Sequence, residues 1–283
     1  MVDPGGALRI IRPVNCVMMG FAILVGAAIG GGSGLISSTR ELSLAFLTGF
    51  FMTGSAMAVN DYYDREIDAI NEPGRPIPSG AVSPGEALAI SGVLSVFGLA
   101  AAWLTSLGNL AIAVLAWVAM MAYSTFGKRT GFLGNLMVSA CVSLPFIYGG
   151  IMGGGGSMGS SLLFALIAFL VCLGREVTKG IVDVEGDGAL GIGTVAVSRG
   201  PGVAAWVSVA FYISAVVVSY IPVYLGLVSF WYSPFVALTD LGLVYISYSL
   251  MKDHSRENGR RVKNMVLPLM LSGLVGFLAG SLL

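Results

Sequence analysis

Long apolar stretches separated by short polar segments run along the whole chain. Each stretch is about 20 residues long, which is the length that an α-helix needs to cross the hydrocarbon core of a bilayer. The short links Gly108–Asn109 and Gly127–Gly131 predict tight turns between antiparallel helices. The pattern predicts nine transmembrane helices, at Pro13–Gly32, Glu41–Asn60, Gly85–Ser106, Asn109–Phe126, Phe132–Met152, Ser160–Lys179, Gly202–Tyr224, Ser229–Met251 and Met265–Leu283.

Composition supports an integral membrane protein. Apolar residues make up 56% of the 283-residue chain, charged residues make up only 11%, and the mean hydropathy is +0.87. A soluble domain carries about a quarter charged residues, so the chain lies far outside that class. No long polar segment remains between the stretches. We therefore expect an all-α integral membrane fold and one membrane domain over residues 1–283.

Basic residues fall almost entirely on one side of the predicted bundle. When alternate loops are assigned to opposite membrane faces, 14 of the 15 Lys and Arg residues lie on one face and only Arg40 lies on the other. Because cytoplasmic loops carry an excess of Lys and Arg, this distribution predicts a multi-pass cell-membrane protein with its N-terminus in the cytoplasm and its C-terminus outside. The net charge is zero, so it says nothing about partners. We expect membrane lipids around the chain and no nucleic-acid partner.

A cluster of aspartates lies where the second apolar stretch ends, in the sequence NDYYDREID of residues 60–68. If the helix continues through it, Asp61, Asp64 and Asp68 share one face. Three carboxylates on one face repel each other unless a cation lies among them. Ligands that offer only oxygen atoms favour a hard ion, and Mg²⁺ shared between carboxylates and a substrate phosphate fits best.

The second cluster is REVTKGIVDVEGD, residues 175–187. Arg175, Lys179, Asp183 and Asp187 are four residues apart, so a continuous helix would align them in one stripe. A diphosphate held by Mg²⁺ needs both kinds of group, because carboxylates bind the metal while Lys and Arg neutralise the remaining oxygens. Either cluster alone could be a solvated helix end. Two such clusters on one membrane face favour a functional site.

Other functions leave weaker traces in the sequence. A transporter needs intramembrane charge along an ion path, and its best candidate is Asp240; acids gathered at one face rather than at the midplane argue against transport. A CDP-alcohol phosphotransferase would need a DGxxAR element and an aspartyl intramembrane protease a GxGD element, and we find neither. Cys16, Cys141 and Cys172 lie inside apolar stretches without CxxC spacing, so we expect neither a disulfide framework nor a zinc site.

The two clusters together resemble the motifs of the UbiA superfamily of intramembrane prenyltransferases. The resemblance implies a helical bundle around a central cavity that is capped by cytoplasmic loops and opens laterally to lipid. It also implies Mg²⁺ as cofactor, with a prenyl diphosphate and a lipophilic acceptor as substrates. The family pattern NDxxDxxxD is matched by Asn60, Asp61, Asp64 and Asp68, and the pattern DxxxD by Asp183 and Asp187.

Three shorter segments resemble further family elements: RPVN at residues 12–15, RPIPSG at 75–80 and YSTFGKR at 123–129. The resemblance implies that an asparagine of the first helix faces the cavity and that the second segment closes over the diphosphate. It implies Asp61, Asp64, Asp183 and Asp187 as metal ligands. It implies catalytic roles for these four and for Asp68 and Tyr123, and substrate contacts from Asn15, Asn60, Arg75, Ser124, Lys128, Arg129 and Lys179.

Within the superfamily, residues 71–80 and 175–179 most resemble the archaeal digeranylgeranylglyceryl phosphate synthase branch. That branch joins a geranylgeranyl chain to geranylgeranylglyceryl phosphate in ether-lipid synthesis. Gly180 and residues 193–196 depart from the branch pattern, which leaves the metal carboxylates intact. The alternative is an aromatic acceptor of the 4-hydroxybenzoate or dihydroxynaphthoate type. Those quinone-forming branches usually carry a further arginine where this chain has Glu72-Pro73.

Overall fold

The computed structural model describes residues 4–31, 39–153 and 157–282. Within these ranges every regular element is helical. A 3₁₀ helix, Gly127–Thr130, lies between α5 and α6. The α-helices are α1 Pro4–Ile11, α2 Pro13–Gly31, α3 Thr39–Asn71, α4 Pro84–Thr105, α5 Leu107–Thr125, α6 Phe132–Met152, α7 Met158–Val182, α8 Val184–Ala189, α9 Val195–Arg199, α10 Pro201–Ser219, α11 Ile221–Tyr224, α12 Tyr232–Lys252 and α13 Arg256–Leu282.

Nine helices of the described chain are long and apolar enough to cross a membrane, which confirms the predicted number. Two of them were predicted too short. The second membrane helix, α3, continues to Asn71 rather than ending at Asn60, and the last, α13, begins at Arg256 rather than at Met265. Hydropathy marks only the length that lies in hydrocarbon, whereas both helices extend beyond it with charged residues. The predicted span ends at residues 32 and 283 lie outside the described residues.

The membrane helices form a bundle around a central cavity. Helix α2 packs against α3 and α6, α6 packs against α7, and α7 packs against α10 and α13. Helix α12 packs against α10 and α13, and α13 returns to α2. Helices α4 and α5 complete the wall between α3 and α6. This arrangement confirms the predicted all-α bundle.

The crossing of α2 and α6 brings two backbones into contact. A Cβ atom added at Gly149 would lie 2.3 Å from the backbone nitrogen of Ala27, and one added at Gly30 would lie 2.8 Å from the Cα atom of Gly150. Small residues drive such close approach in membranes, where packing rather than water provides the attraction between helices. The α2–α6 pair therefore forms one closely packed wall of the bundle.

A hydroxyl network joins α3, α4 and α5. The Oγ atom of Ser55 lies 2.9 Å from that of Ser91 and 2.7 Å from that of Ser95. Trp117 donates its indole N–H to Ser95 at 3.0 Å. These buried polar groups satisfy each other in apolar surroundings, where an unpaired group would be costly. The network fixes how α3, which carries the first aspartate cluster, lies against its neighbours.

Asp240, the carboxylate that a transporter would require, lies at a helix contact. It is buried, and the hydroxyl of Ser219 donates to its Oδ2 atom at 2.8 Å. The hydroxyl of Tyr232 donates to the carbonyl oxygen of Ser219 at 2.7 Å. Asp240 lines neither of the two cavities described below. Its contacts indicate a structural link between α10 and α12.

Candidate active site

A cavity of about 350 Å³ lies between α2, α3, α5, α6, α7 and α13. Most of its wall is apolar. Its charged end is formed where α3 and α7 end and α13 begins, so it lies at one membrane face. The apolar wall includes Met18, Met19, Ile23, Met52, Ile112, Met120, Val138, Leu144, Leu267 and Met270. The polar end includes Arg12, Asn15, Asn60, Arg75, Tyr123, Ser124, Arg175, Glu176, Lys179 and Lys263.

The first aspartate cluster lies on the extended end of α3. Asp61, Asp64 and Asp68 have exposed fractions of 1%, 5% and 4%. Their burial confirms that the helix continues and that the three carboxylates share its inner face. Buried carboxylates require charge partners, because burial removes the water that would otherwise solvate them.

Two arginines pair with the outer members of this cluster. Arg12, between α1 and α2, forms an ion pair with Asp61. Arg75, in the segment after α3, lies 2.6 Å from Asp68 and 3.4 Å from Asp61. Burial opposes the charge of Arg75, but the two carboxylates outweigh it and raise its pKa. Arg12 adopts a φ of 51°, a left-handed conformation that is uncommon for a residue with a side chain.

The middle carboxylate, Asp64, is held by a lysine and an amide. The ammonium of Lys128 lies 2.6 Å from its Oδ2 atom. The side-chain amide of Asn60 donates to the same oxygen at 2.7 Å. Lys128 belongs to the 3₁₀ helix that follows α5. Three cations from three different segments thus neutralise the three carboxylates of α3.

The second aspartate cluster lies on two helices rather than one. The predicted continuous helix through residue 187 is wrong, because α7 ends at Val182 and α8 begins at Val184. Asp183 caps both, and its carbonyl oxygen still accepts the amide of Asp187 at 2.9 Å. Both aspartates therefore remain close. They line a small cavity of about 30 Å³ together with Tyr123, Lys128 and Lys179.

Charge interactions show that the two clusters face each other. The pKa of Asp187 is raised to about 6, chiefly by burial and then by the neighbouring Asp183. Lys128 and Lys179 oppose this rise, whereas Asp64 of the first cluster adds to it. Lys128 pairs with Asp64 and also lines the small cavity beside Asp187. The five motif carboxylates thus belong to one site.

Direct contacts hold the two clusters in this position. A Cβ atom added at Gly186 would lie 2.4 Å from the side-chain Nδ2 atom of Asn71, so the end of α3 packs directly on α8. Arg260 of α13 lies 3.0 Å from Glu72, the residue after α3. The glycine allows the approach, and the ion pair joins a third helix to it.

Helix α7 carries a buried carboxylate that the motif pattern did not single out. Glu176 has an exposed fraction of 7% and lines both cavities. Its Oε1 atom lies 3.1 Å from Arg175, and its Oε2 atom lies 3.8 Å from Lys179. Lys263 of α13 lines the large cavity beside these three residues.

Most of the predicted site residues come together here, with Tyr123 and Lys179 lining both cavities. Arg129 is the exception. It is exposed and lines neither cavity, although Lys128 beside it does. Consecutive residues of a 3₁₀ helix, with three residues per turn, point in different directions. The three aspartates of α3 also line neither cavity, but they form ion pairs with Arg12, Arg75 and Lys128, which do. Those lining the large cavity are Asn15, Asn60, Arg75, Tyr123, Ser124 and Lys179, and those lining the small one are Tyr123, Lys128, Lys179, Asp183 and Asp187.

Three further residues of the site, Arg12, Glu176 and Lys263, were not assigned a role from sequence. Arg12 begins the RPVN segment, three residues before the predicted substrate-binding Asn15, and this position could have indicated a role for it in the site. Glu176 lies next to the Arg175 stripe without sharing its spacing. Lys263 follows Arg256 and Arg260 at helical spacing, which would have placed it on their face.

The donor set fits Mg²⁺ in its chemistry. All donors are oxygen atoms, and two buried ones, Asn60 Oδ1 and Asp61 Oδ2, have no hydrogen-bond partner among the described residues. Within the same ranges, however, no three Asp, Glu, His or Cys side chains are grouped closely enough to hold an ion. Arginine and lysine hold the α3 carboxylates instead. A metal ion would have to replace part of this pairing.

Comparisons with known proteins identify the family to which the chain belongs. The model of the UbiA prenyltransferase family matches residues 19–272. The digeranylgeranylglyceryl phosphate synthase of Archaeoglobus fulgidus is 34% identical over 276 residues, which cover 96% of this chain and 94% of the relative. The synthase of the same name from Thermococcus kodakarensis is 33% identical over 275 residues, which cover 97% of each chain.

Solved structures share the fold. A structure described as that of a digeranylgeranylglyceryl phosphate synthase in membranes superposes with a TM-score of 0.75 at 26% identity and covers 99% of both chains. A UbiA homolog from Archaeoglobus fulgidus bound to GPP and Mg²⁺ superposes with a TM-score of 0.65 at 17% identity, over 96% of this chain and 99% of that one. At that identity the second likeness concerns the fold alone.

Proposed function

The chain belongs to the UbiA prenyltransferase family, and from this membership we propose that it transfers a geranylgeranyl group from its diphosphate to geranylgeranylglyceryl phosphate, as in archaeal ether-lipid synthesis. It is a multi-pass membrane prenyltransferase. The observation that carries the proposal is the pairing of two aspartate clusters and several cations at the polar end of an apolar cavity. The digeranylgeranylglyceryl phosphate synthase name of its relatives supports the choice of acceptor.

We further propose that residues 1–283 form one membrane domain whose site faces the cytoplasm, with the N-terminus inside and the C-terminus outside. The asymmetric distribution of Lys and Arg supports this orientation. Labelling of single introduced cysteines with a membrane-impermeant reagent, in cells and in inverted vesicles, tests it. If the segment after α3 is labelled from outside the cell, the proposed orientation is wrong and the opposite one holds.

In the proposed mechanism, Asp61, Asp64, Asp183 and Asp187 would hold Mg²⁺ beside the diphosphate. Bound Mg²⁺ supplies electrostatic stabilisation of the negative charge that develops on the leaving diphosphate. Asn60 and Asp68 support the ligands, since Asn60 holds Asp64 and Asp68 holds Arg75.

The cations that hold the α3 carboxylates have a second use. Arg75, which also contacts Asp61, and Lys128, which pairs with Asp64, would be available to phosphate oxygens when those two carboxylates hold Mg²⁺. Lys179 lines both cavities and can contact the same diphosphate. Arg129 is left out of this set because it is exposed and lines neither cavity. Each positive charge is thus neutralised by a carboxylate before substrate binds and by phosphate afterwards.

The reaction then proceeds at the boundary between the two cavities. The allylic C–O bond breaks, diphosphate leaves with the bonding electrons, and a hydroxyl of the acceptor forms the new C–O bond while its proton passes to an oxygen of the departing diphosphate. Tyr123 lines both cavities, so its ring is placed to stabilise positive charge on the prenyl carbon. The apolar wall keeps out water, which would otherwise capture that carbon. Asn15 and Ser124 add polar atoms to the wall.

The proposal is tested by product analysis. Purified protein in detergent or nanodiscs is incubated with geranylgeranyl diphosphate, Mg²⁺ and a panel of acceptors, and products are identified by mass spectrometry. We expect the digeranylgeranyl ether of glyceryl phosphate, and none without Mg²⁺. Transfer to 4-hydroxybenzoate or dihydroxynaphthoate instead would replace the proposed acceptor with an aromatic one.

A further inference from the structure

Basic residues on the first turns of α13 form one stripe. Arg256, Arg260 and Lys263 follow each other at spacings of four and three residues, which places them on one face. The two outer cations are paired at 3.0 Å, Arg256 with Glu185 and Arg260 with Glu72. Lys263 lies one turn further along the helix and faces the large cavity. Within the described ranges it forms no ion pair with a carboxylate.

The cavity wall around Lys263 carries more positive than negative charge. Arg175 and Lys179 share the single carboxylate of Glu176, and Lys263 lines the same cavity. Asp183 and Glu72 also attract Lys263, but neither forms an ion pair with it. In addition, the buried Nε atom of Arg175 has no hydrogen-bond partner among the described residues. Buried charge and unpaired donors are costly, so an anion bound at this wall would be stabilised.

We propose that Lys263 and Arg175 bind the phosphate group of the acceptor lipid and thereby select a phosphorylated acceptor over a neutral one. This inference rests on the proposed function. A phosphate monoester carries a charge of about −1.5 to −2 near neutral pH, which complements the cations on this wall. Arg175 offers a planar set of donors, and Lys263 offers a compact charge.

The surrounding residues support an acceptor rather than a donor at this position. Of the cations assigned to the donor diphosphate, Arg75 and Lys128 are held beside the α3 carboxylates, and Lys179 lines both cavities. From Lys263, Leu267 and Met270 continue along the same face of α13 into the apolar part of the cavity. A lipid whose phosphate lies at Lys263 would therefore have an apolar wall for its hydrocarbon chain.

A binding experiment on Lys263→Met tests the proposal. The substitution keeps the length of the side chain and removes its charge. Arg261→Met is the matched control, because Arg261 lies on the same helix but is exposed. Equilibrium binding of geranylgeranylglyceryl phosphate and of its dephosphorylated alcohol is measured on the purified protein without donor. We expect Lys263→Met to bind the phosphorylated lipid about 10- to 100-fold more weakly and the alcohol as wild type does.

Two further measurements make the result specific. Lys263→Arg should retain binding of the phosphorylated lipid within a few-fold, since it keeps the charge. Lys263→Met should bind geranylgeranyl diphosphate with unchanged affinity in the presence of Mg²⁺. Size-exclusion chromatography and thermal melting check folding, with Lys263→Gln as the substitute if the methionine variant does not fold.

The inference is overturned if Lys263→Met binds the phosphorylated lipid as wild type does. It is also overturned if affinity for geranylgeranyl diphosphate falls equally, because Lys263 would then belong to the donor site. Failure of the proposed function has a different signature, in which the wild-type protein neither prefers the phosphorylated lipid nor transfers a prenyl group to it.

Discussion

The two walls of the polar end differ in how their charges are balanced. On the α3 side, Asp61, Asp64 and Asp68 face three cations, and all three carboxylates form ion pairs. On the α7–α13 side, Glu176 is the one carboxylate that forms ion pairs with Arg175 and Lys179, and Lys263 forms no ion pair within the described residues. A balanced wall can accept a metal together with an anion. An unbalanced wall can accept an anion by itself.

Removal of a motif carboxylate acts on the balanced side of the site and should cause the largest loss of prenyl transfer. We expect Asp61→Ala and Asp183→Ala to lower transfer by about 100- to 1,000-fold, because each removes a proposed Mg²⁺ ligand and with it stabilisation of the leaving group. Turnover of geranylgeranyl diphosphate under saturating Mg²⁺ measures this, and thermal melting shows that the variants are folded. Near-normal Mg²⁺-dependent turnover in either variant would rule out its metal-binding role.

Lys128 and Arg129 are neighbouring cations of which the first is paired with a carboxylate and the second is exposed. Lys128→Gln should lower transfer by about 10- to 100-fold, because Lys128 neutralises Asp64 and faces the second cluster. Arg129→Gln is its matched control and should change transfer by less than about twofold. Steady-state kinetics with varied geranylgeranyl diphosphate distinguishes the two. Equal losses in both variants would mean that Arg129 reaches the substrate.

Arg75→Gln should change the affinities for Mg²⁺ and for diphosphate in opposite directions. Without Arg75, Mg²⁺ alone should bind a few-fold more tightly, because it no longer competes with that guanidinium for Asp61. Pyrophosphate with Mg²⁺ should bind about tenfold more weakly, because a phosphate contact is lost. Isothermal titration with each ligand measures both affinities. Arg65→Gln, a half-exposed cation on the same helix as the cluster, is the control, and a parallel change in both affinities for Arg75→Gln would contradict the exchange of partners.

The smallest effect concerns pH. The pKa of Asp187 is raised to about 6 in the metal-free protein, so its carboxylate is ionised above that pH and protonated below it. Protons therefore compete with Mg²⁺, and Mg²⁺ affinity should fall several-fold as the pH decreases from 7 to 5.5. The Mg²⁺-dependent shift in melting temperature, recorded across this range, measures it. The pH dependence should be weaker in Asp187→Asn, and an identical profile in that variant would assign the titration to another group.

The sequence predicted the membrane helices and the motif faces for clear physical reasons. Hydropathy reports burial in lipid, and the spacing of Asp61, Asp64 and Asp68 reports one helix face. The length of α3 beyond Asn60 could not be read in the same way, since charged residues give no hydropathy signal. Nor does hydropathy show that α7 stops before Asp183, where glycine-rich sequence follows.

The partners of the carboxylates were harder to predict than the carboxylates themselves. Arg12 and Lys128 reach α3 from distant segments, so their pairing depends on tertiary packing. Glu176 and Lys263 lie on different helices, and only packing of α13 against α7 brings them to one wall. Lys128 and Arg129 could not be told apart, because adjacent basic residues carry the same sequence signal.

The backbone of Arg12 restricts how this position can evolve. Its φ of 51° suits glycine best, and glycine would relieve the conformational cost of a side chain there. Glycine would also remove the guanidinium that faces the buried Asp61. We therefore expect substitution of Arg12 by glycine to be disfavoured as long as Asp61 is buried, even though the backbone conformation suits glycine. Glycine at position 12 would leave Asp61 with Arg75, at 3.4 Å, as its remaining cation.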